Sequence, residues 1–538
     1  MATDTGTGTF AGDRSLWWRR IKGRLFEGLL VTATLFGLVS LVTIFVLISW
    51  DALGPDAATP EWYLVYFGTL VGPVSAYTLY VRRRPAAKSV SAMSYVVVFG
   101  SLTTSLVVFA VVDAVRPHDV IVPLAFATLP PLAIIGYARV YGETHLTGPA
   151  IPVSIVVGLA ASVFLHDTIL SVIAILADWV VFVGIVTVPV AAMLGIVARR
   201  RWNDRVGLMT AGLVVGVALG AAVAGLSTGR EPSLWVVLAS GTVAPIGFFV
   251  ADTLANRSEG QIGLFGPAIL VGGVLLGASI ERQYGIAGLD SWLNPTLLLD
   301  SWSTFRPEQA GIYPQVVGSI MIVGIMAFMS FPVGIGAAVY LEEYAPSSGW
   351  KGVLASTLDV NISNLAGVPS VVYGLLGLAL FRQVFGLSPG IAVAAGATLG
   401  LLILPIVIVS SQEALRSVPD ELRQASYGMG ASRWQTVRNV VLPEAVPGIL
   451  TGTILSLGRA IGETAPLVMI GVATTRFSPP EGLFSGATAL PLQIFAAKGN
   501  NIPEYRVGVV AAAALVLLLL MLVMNATAIL IRNKYQRK

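Results

Sequence analysis

The chain of 538 residues contains no cysteine, which excludes disulfides, thiolate metal sites and cysteine nucleophiles. Histidine is almost as scarce: His118, His145 and His166 stand apart, with no H-E-x-x-H or clustered ligand set, so neither a catalytic metal nor a resident cofactor is expected. No G-x-x-x-x-G-K-[ST] loop occurs, and ATP binding by that route goes with it. Charge is thin as well. Only 12% of residues are Asp, Glu, Lys or Arg, against roughly a quarter in soluble domains, too few to cover a water-facing surface.

What is present is hydrocarbon: 55% of residues are hydrophobic. They fall in runs of about 18 to 25, long enough to cross roughly 30 Å of bilayer at about 1.5 Å per helical residue, and strand-length alternating segments are rare. An all-α polytopic membrane protein follows. The first run, Phe26 to Trp50, comes after Arg14, Arg19, Arg20, Lys22 and Arg24 and is too long for a signal-peptide core. It reads as an uncleaved span after a cytoplasmic tail, residues 1–25, whose Thr/Gly-rich stretch 3–9 is expected to be disordered.

Eight further runs lie near 62–81, 93–114, 120–138, 150–176, 179–198, 206–226, 234–252 and 263–280. A polar, aromatic stretch, 282–313, suits an extracytoplasmic loop, and five more runs follow near 314–341, 362–382, 391–411, 444–472 and 507–531. About fourteen spans result, with both termini in the cytoplasm of a cell that places this chain in its plasma membrane. Basic residues after the second and sixth runs, Arg82 to Arg84 and Arg199 to Arg201, agree with that orientation. The formal net charge of +4 is explained by anionic lipid and calls for no nucleic acid. Tandem repetition is not evident.

Between the spans ending near Ser411 and starting near Glu444 lies a segment, 412–443, too polar for the membrane yet patterned like folded helices. Asp420 is placed to cap one helix and Gly430 to end it; Ser432 is placed to cap a second helix carrying Trp434, Val437 and Val441 on one face. Such an element, fixed to two spans, is a lever on which a soluble motor could push.

These residues resemble the EAA loop of bacterial and archaeal ABC-importer permeases, whose pattern is E-A-A, three residues, G, nine residues, I, one residue, L-P. The chain reads Gln424-Ala425-Ser426, Gly430, Val440, Leu442-Pro443, with every spacing kept. Gln424 replaces the acidic residue and Ser426 the second alanine, so docking is expected to rest on the apolar face around Trp434 and the turn at Gly430. The flanks GIYPQVVGSI (311–320), PVGIGAAVYLEEYAP (332–346), NISNLAGVPSVVYGLLGLALF (361–381) and GRAIGETAPLVMIG (458–471) resemble PstA-type phosphate permeases. With Phe26 to Trp50, the resemblance covers about 280 residues. It implies a type I importer core of six spans, without enzymatic activity of its own. It further implies inorganic phosphate as substrate, a PstB-type ATPase dimer, a PstC-type partner permease and a PstS-type phosphate-binding protein. Residues 51–281 have no counterpart in that core and read as an inserted region of about eight spans, of unknown purpose.

Arg459 lies deep in its span with Glu463 one helical turn on, so the two can pair. A charge at this depth normally faces a bundle interior or a water-filled path. One reading puts Arg459 on the anion in the pathway with Glu463 holding it; the other is an ion pair that only fixes packing. Asn361, Ser363 and Asn364 precede Gly367-Val368-Pro369-Ser370, where proline can break a helix toward a cavity and offer neutral donors, although capping and interhelical bonding explain them equally. Thr464 is expected to bond back to its own helix. Glu342 and Glu343 read as solvated helix-end charges, and Asp113, Asp178 and Asp252 as interfacial. Alternatives to phosphate import are import of molybdate, tungstate or sulfate, or a secondary transporter or membrane sensor built on the inserted spans.

Overall fold

A backbone in hydrocarbon finds no water to bond, so an apolar run closes its own hydrogen bonds as a helix. The computed structural model describes residues 9–536 apart from 115–116, 143–146, 174, 230 and 347, and is helical throughout, with only two isolated bridges, Ile391 to Gly486 and Ala473 to Thr488, among the described residues. Residues 3–8 of the Thr/Gly-rich tail, His145, Arg537 and Lys538 lie outside the described residues, as does the side chain of Asp113.

Among the described residues twelve helices are long and apolar enough to cross a membrane, or thirteen if one bent pair is counted as a span. The first, α1 (Thr9–Leu53), starts well before Phe26. Then come α2 (Pro60–Arg82), α3 (Pro85–Ala114), α4 (Pro117–Tyr141), α5 (Thr147–Ile173), α6 (Asp178–Arg201), α7 (Asp204–Thr228), α8 (Pro232–Asn256) and α9 (Ser258–Tyr284). Of these, α5 occupies the 150–176 run and is not among the twelve; that run and the bent pair are the two that separate twelve from fourteen.

The second block contains α10 (Tyr313–Tyr344), α11 (Gly349–Leu365), α12 (Ser370–Val384), α13 (Ala392–Arg416), α14 (Asp420–Gly428), α15 (Arg433–Gly462), α16 (Ala465–Met469), α17 (Leu490–Lys498) and α18 (Tyr505–Ile529). Two expected spans are broken. The run 362–382 is divided between α11 and α12, which meet at 109° because Pro369 cannot continue the helix before it. The run 444–472 ends as a helix at Gly462, and α16 follows after Glu463 and Thr464.

The core of this block is a cluster in which Met326 of α10, Leu399 and Ile403 of α13, Ile461 of α15, and Leu467 and Ile470 at α16 are all buried. Close approach of α12 to α16 is possible because Gly374 has no side chain: a Cβ there would lie 2.6 Å from Met469 Cβ and 2.8 Å from Pro466 Cα.

Residues between α1 and the second block form an excursion whose ends meet. Trp292 N–H donates to Ala52 O at 2.9 Å, Asp290 N–H to Gly54 O at 3.3 Å and Thr59 N–H to Ala287 O at 3.1 Å. Within it α4 packs on α5 and α6 on α7, α8 lies against α7, and α9 against α2 and α3; four of the helices share one feature. Thr69, Thr128, Thr187 and Thr242 stand two to four residues ahead of Pro73, Pro131, Pro189 and Pro245 in α2, α4, α6 and α8. In three of them a π turn, Phe67–Val71, Val183–Thr187 or Ala239–Val243, sits just before the proline-bearing segment. Proline lacks an N–H and crowds the carbonyl four residues back, and a widened turn relieves both. The recurring Thr and Pro positions are a shared backbone device among apolar residues, with spacings that differ from helix to helix.

Asp252, expected at an interface, is instead buried: Arg201 Nε lies 2.9 Å from its Oδ1 and Asn256 Nδ2 donates to the same oxygen at 2.9 Å. Asp178 stays open, 3.3 Å from His118 Nδ1. Because the excursion starts and ends at one hydrogen-bonded point, replacing residues 55–289 by a two-glycine linker should leave α1 and α10 to α18 inserted and monodisperse in detergent. Aggregation of that variant, with wild type monodisperse in the same detergent, would show that the second block needs the hairpins to fold.

Candidate functional site

The segment after α13 folds as two short helices at an angle. Pro419, in an extended conformation, takes the N-cap position of α14, so Asp420 is its first residue rather than its cap, and the Asp420 carboxylate accepts from Arg423 Nη1 at 3.1 Å. Past Gly428 the chain reverses through Gly430 at φ +83°, a left-handed conformation that glycine adopts without strain. Ser432 then caps α15: its Oγ accepts from Gln435 N–H at 3.3 Å while Gln435 Oε1 accepts from Ser432 N–H at 2.8 Å. A π turn, Val437–Val441, precedes Leu442-Pro443, the same accommodation of proline seen in the hairpins. The two helices are tied together where Ser426 Oγ meets Thr436 Oγ1 at 2.8 Å, both buried. The serine that departs from the E-A-A pattern therefore supplies a cross-link that alanine could not.

The expected apolar face is not the exposed one. Val437 and Val441 are wholly buried, and Trp434 is half-buried. Exposure falls instead on the tip and outer side of α14: Met429 is 83% exposed, Tyr427 43% and Leu422 41%, with Gln424 and Ala425 also open. Leu442 is half-buried and Pro443 exposed.

Arg423, on the inner side of α14, holds the element in place. Its Nη2 donates to Glu343 Oε1 at 3.0 Å and to Leu415 O at 2.9 Å, and its Nη1 to Val418 O at 2.6 Å. One guanidinium thereby joins α14, the end of α10 and the last carbonyls of α13. Glu343 is 7% exposed and Arg423 16%, so the glutamate is not a solvated helix-end charge. Its neighbour Glu342 accepts from Arg416 Nη2 at 2.6 Å, and Asp359 of α11 accepts from Gln412 Nε2 at 2.7 Å. Arg433 adds a cation-π contact, 5.3 Å from the Tyr344 ring. Arg423, Arg416 and Asp359 were missed by sequence reasoning; the usable signal was the adjacent Glu342-Glu343 at the end of an apolar run.

Farther along α15, Arg459 Nε donates to Glu463 Oε1 at 3.1 Å, at the point where the helix ends. The pair is formed within one element, between helix and break, and is not interhelical. Thr464 Oγ1 bonds back to Gly462 O at 3.4 Å. The neutral candidates are placed elsewhere: Asn361 Nδ2 donates to Thr357 O at 2.8 Å within α11, the Asn364 carbonyl accepts from Gly367 N–H at 3.1 Å, and Asn364 and Ser363 are exposed. Ser370 begins α12 without forming a side-chain cap. Tyr373, not anticipated, crosses the break by donating to Leu365 O at 2.9 Å.

Residues 330–536 match the family described as binding-protein-dependent transport system inner membrane component. The phosphate transport system permease protein PstA 1 of Mycobacterium tuberculosis (strain ATCC 25618 / H37Rv) is 40% identical over 203 residues, 37% of this chain and 62% of that protein. PstA of Mycobacterium leprae is 39% identical over 236 residues, covering 43% and 72%, and the phosphate permease PstC of Haemophilus influenzae is 30% identical over 218, covering 36% and 67%. The chain thus spans less than two thirds of the M. tuberculosis relative. Among solved structures, an inward-facing MetNI methionine ABC transporter is similar at a TM-score of 0.34 and 23% identity, over 42% of this chain and 97% of that one.

Removing one partner of a buried pair strands the other charge at a cost of about 3–5 kcal/mol, whereas removing both does not. Arg423→Met should therefore lower the melting temperature in detergent more than the double change Arg423→Met with Glu343→Met. Equal losses in both variants would show that the pair does not hold the element.

Proposed function

The chain belongs to the family of binding-protein-dependent transport system inner membrane components, among the PstA-type phosphate permeases, and from that premise we propose that it forms half of the path of an ATP-driven importer of inorganic phosphate. The observation that carries the reading is the two-helix element clamped by Arg423 to the ends of α10 and α13. A push on α14 reaches those helices through charge-assisted hydrogen bonds rather than through a flexible loop. The element's exposed face, Leu422, Tyr427 and Met429, is where a PstB-type ATPase dimer docks, with Gln424 as a neutral contact in place of a charge.

In this reading the end carrying residues 412–443 is cytoplasmic, as are both termini. A PstS-type binding protein delivers phosphate to the opposite end, and a PstC-type permease supplies the other half of the path. The chain itself makes and breaks no covalent bond. Closure and reopening of the ATPase dimer shift the coupling helices between two arrangements, and the spans follow. Arg459 offers the anion a charged fork of donors once its bond to Glu463 opens, and Glu463 keeps the guanidinium from holding phosphate too tightly. The helix breaks around Pro369 and Thr464 are the places where the chain bends toward the path.

In vesicles holding the whole complex, Arg459→Gln should abolish phosphate uptake while the variant still assembles with the ATPase. Normal uptake by that variant would remove Arg459 from the path. Uptake that persists with an ATPase-dead partner would end the ATP-driven reading altogether.

A further inference from the structure

The break after α15 opens onto a cavity of about 690 Å³ lined by Thr464, Pro491, Ile494, Phe495, Lys498 and Leu517, among others. It lies between α17, α18 and the start of α16, one residue from Glu463. Its walls are apolar apart from the Thr464 hydroxyl and the Lys498 ammonium. Lys498 is exposed and forms no ion pair with a carboxylate among the described residues. The Thr464 hydroxyl is held only by its long bond to Gly462 O, 3.4 Å, and so is available as a donor.

An ammonium at the rim of an apolar-walled cavity draws an anion toward that cavity, whose walls focus its field. A hydroxyl donor on the same cavity gives that anion a second contact, and Arg459, paired to Glu463 one turn back, gives it a destination. We infer that Lys498 and Thr464 form a receiving subsite for a phosphate oxyanion, which takes the ion before it reaches Arg459. This rests on the import reading above. The same chemistry would suit the phosphate of a lipid headgroup, and the geometry near the Arg459–Glu463 pair favours the ion in transit. Lys498 also stands in the last turn of α17, where a cation suits the helix dipole; a role confined to that would be structural.

The test uses vesicles of neutral lipid containing the full complex, with its ATPase, partner permease and binding protein, and reads phosphate moved per ATP hydrolysed. Lys498→Gln should lower that ratio about five- to tenfold at limiting loaded binding protein, with binding-protein-stimulated ATP hydrolysis unchanged, and Lys498→Arg should restore it to within about twofold. Raising salt should slow wild type more than Lys498→Gln. An unchanged ratio in Lys498→Gln overturns the subsite, and so does failure of arginine to rescue, which would mark a packing role. A loss that appears only when anionic lipid is added overturns it in favour of a headgroup. The two readings fail separately: a wild-type complex that carries sulfate or molybdate and no phosphate sinks the phosphate reading, while Lys498→Gln then reads the subsite with that anion.

Discussion

The ion pair between Arg423 and Glu343 is the contact on which the working arrangement depends. It joins residues 80 positions apart, and it is almost free of water, with the glutamate 7% exposed. In such surroundings a charge must be paired, so the guanidinium cannot leave without stranding the carboxylate. Its remaining donors bond the carbonyls of Leu415, in the last turn of α13, and Val418, just past its end. A mechanical link is thus built from groups that are each costly to leave alone. Arg416 repeats the pattern on a wetter side with Glu342, linking α13 to α10 a second time.

Away from that clamp, the chain relies on regular helices interrupted at few places. Interruptions expose backbone donors and acceptors, which hydrocarbon tolerates only where protein or a cavity covers them. The break between α11 and α12 is bridged by the Tyr373 hydroxyl, and the break after α15 borders the cavity with Lys498. Gly374 lets α12 lie directly on α16, so the two broken elements pack on each other.

The hairpins between α1 and α10 use the same chemistry for a different end. Proline in α2, α6 and α8 is accommodated by a π turn, as Pro443 is in the two-helix element. Two buried polar groups there are satisfied across the fold, Asp252 by Arg201 and Asn256, and Tyr77 by the carbonyls of Ile262 and Gly263 at 3.2 and 3.0 Å, whereas the buried hydroxyls of Thr187 and Thr253 have no partner. Contacts reach the second block as well, through α3 and α5 against α10.

Much was legible from one dimension because the bilayer acts on composition. Runs of apolar residues had to become helices, Gly430 had to turn the chain, and Ser432 with Gln435 had to cap a helix, since each of these follows from neighbours in sequence. The spacing from Gln424 to Pro443 marked the two-helix element for the same reason. What sequence could not decide was partnership over distance. Glu343 looks like a solvated charge until α14 lays Arg423 against it, Val437 looks like a docking surface until the fold turns it inward, and Ser426 looks like a lapse from a motif until Thr436 meets it at 2.8 Å. Whether a polar group is wet or dry, and therefore whether it must be paired, is a property of packing, and packing exists only once the helices have met.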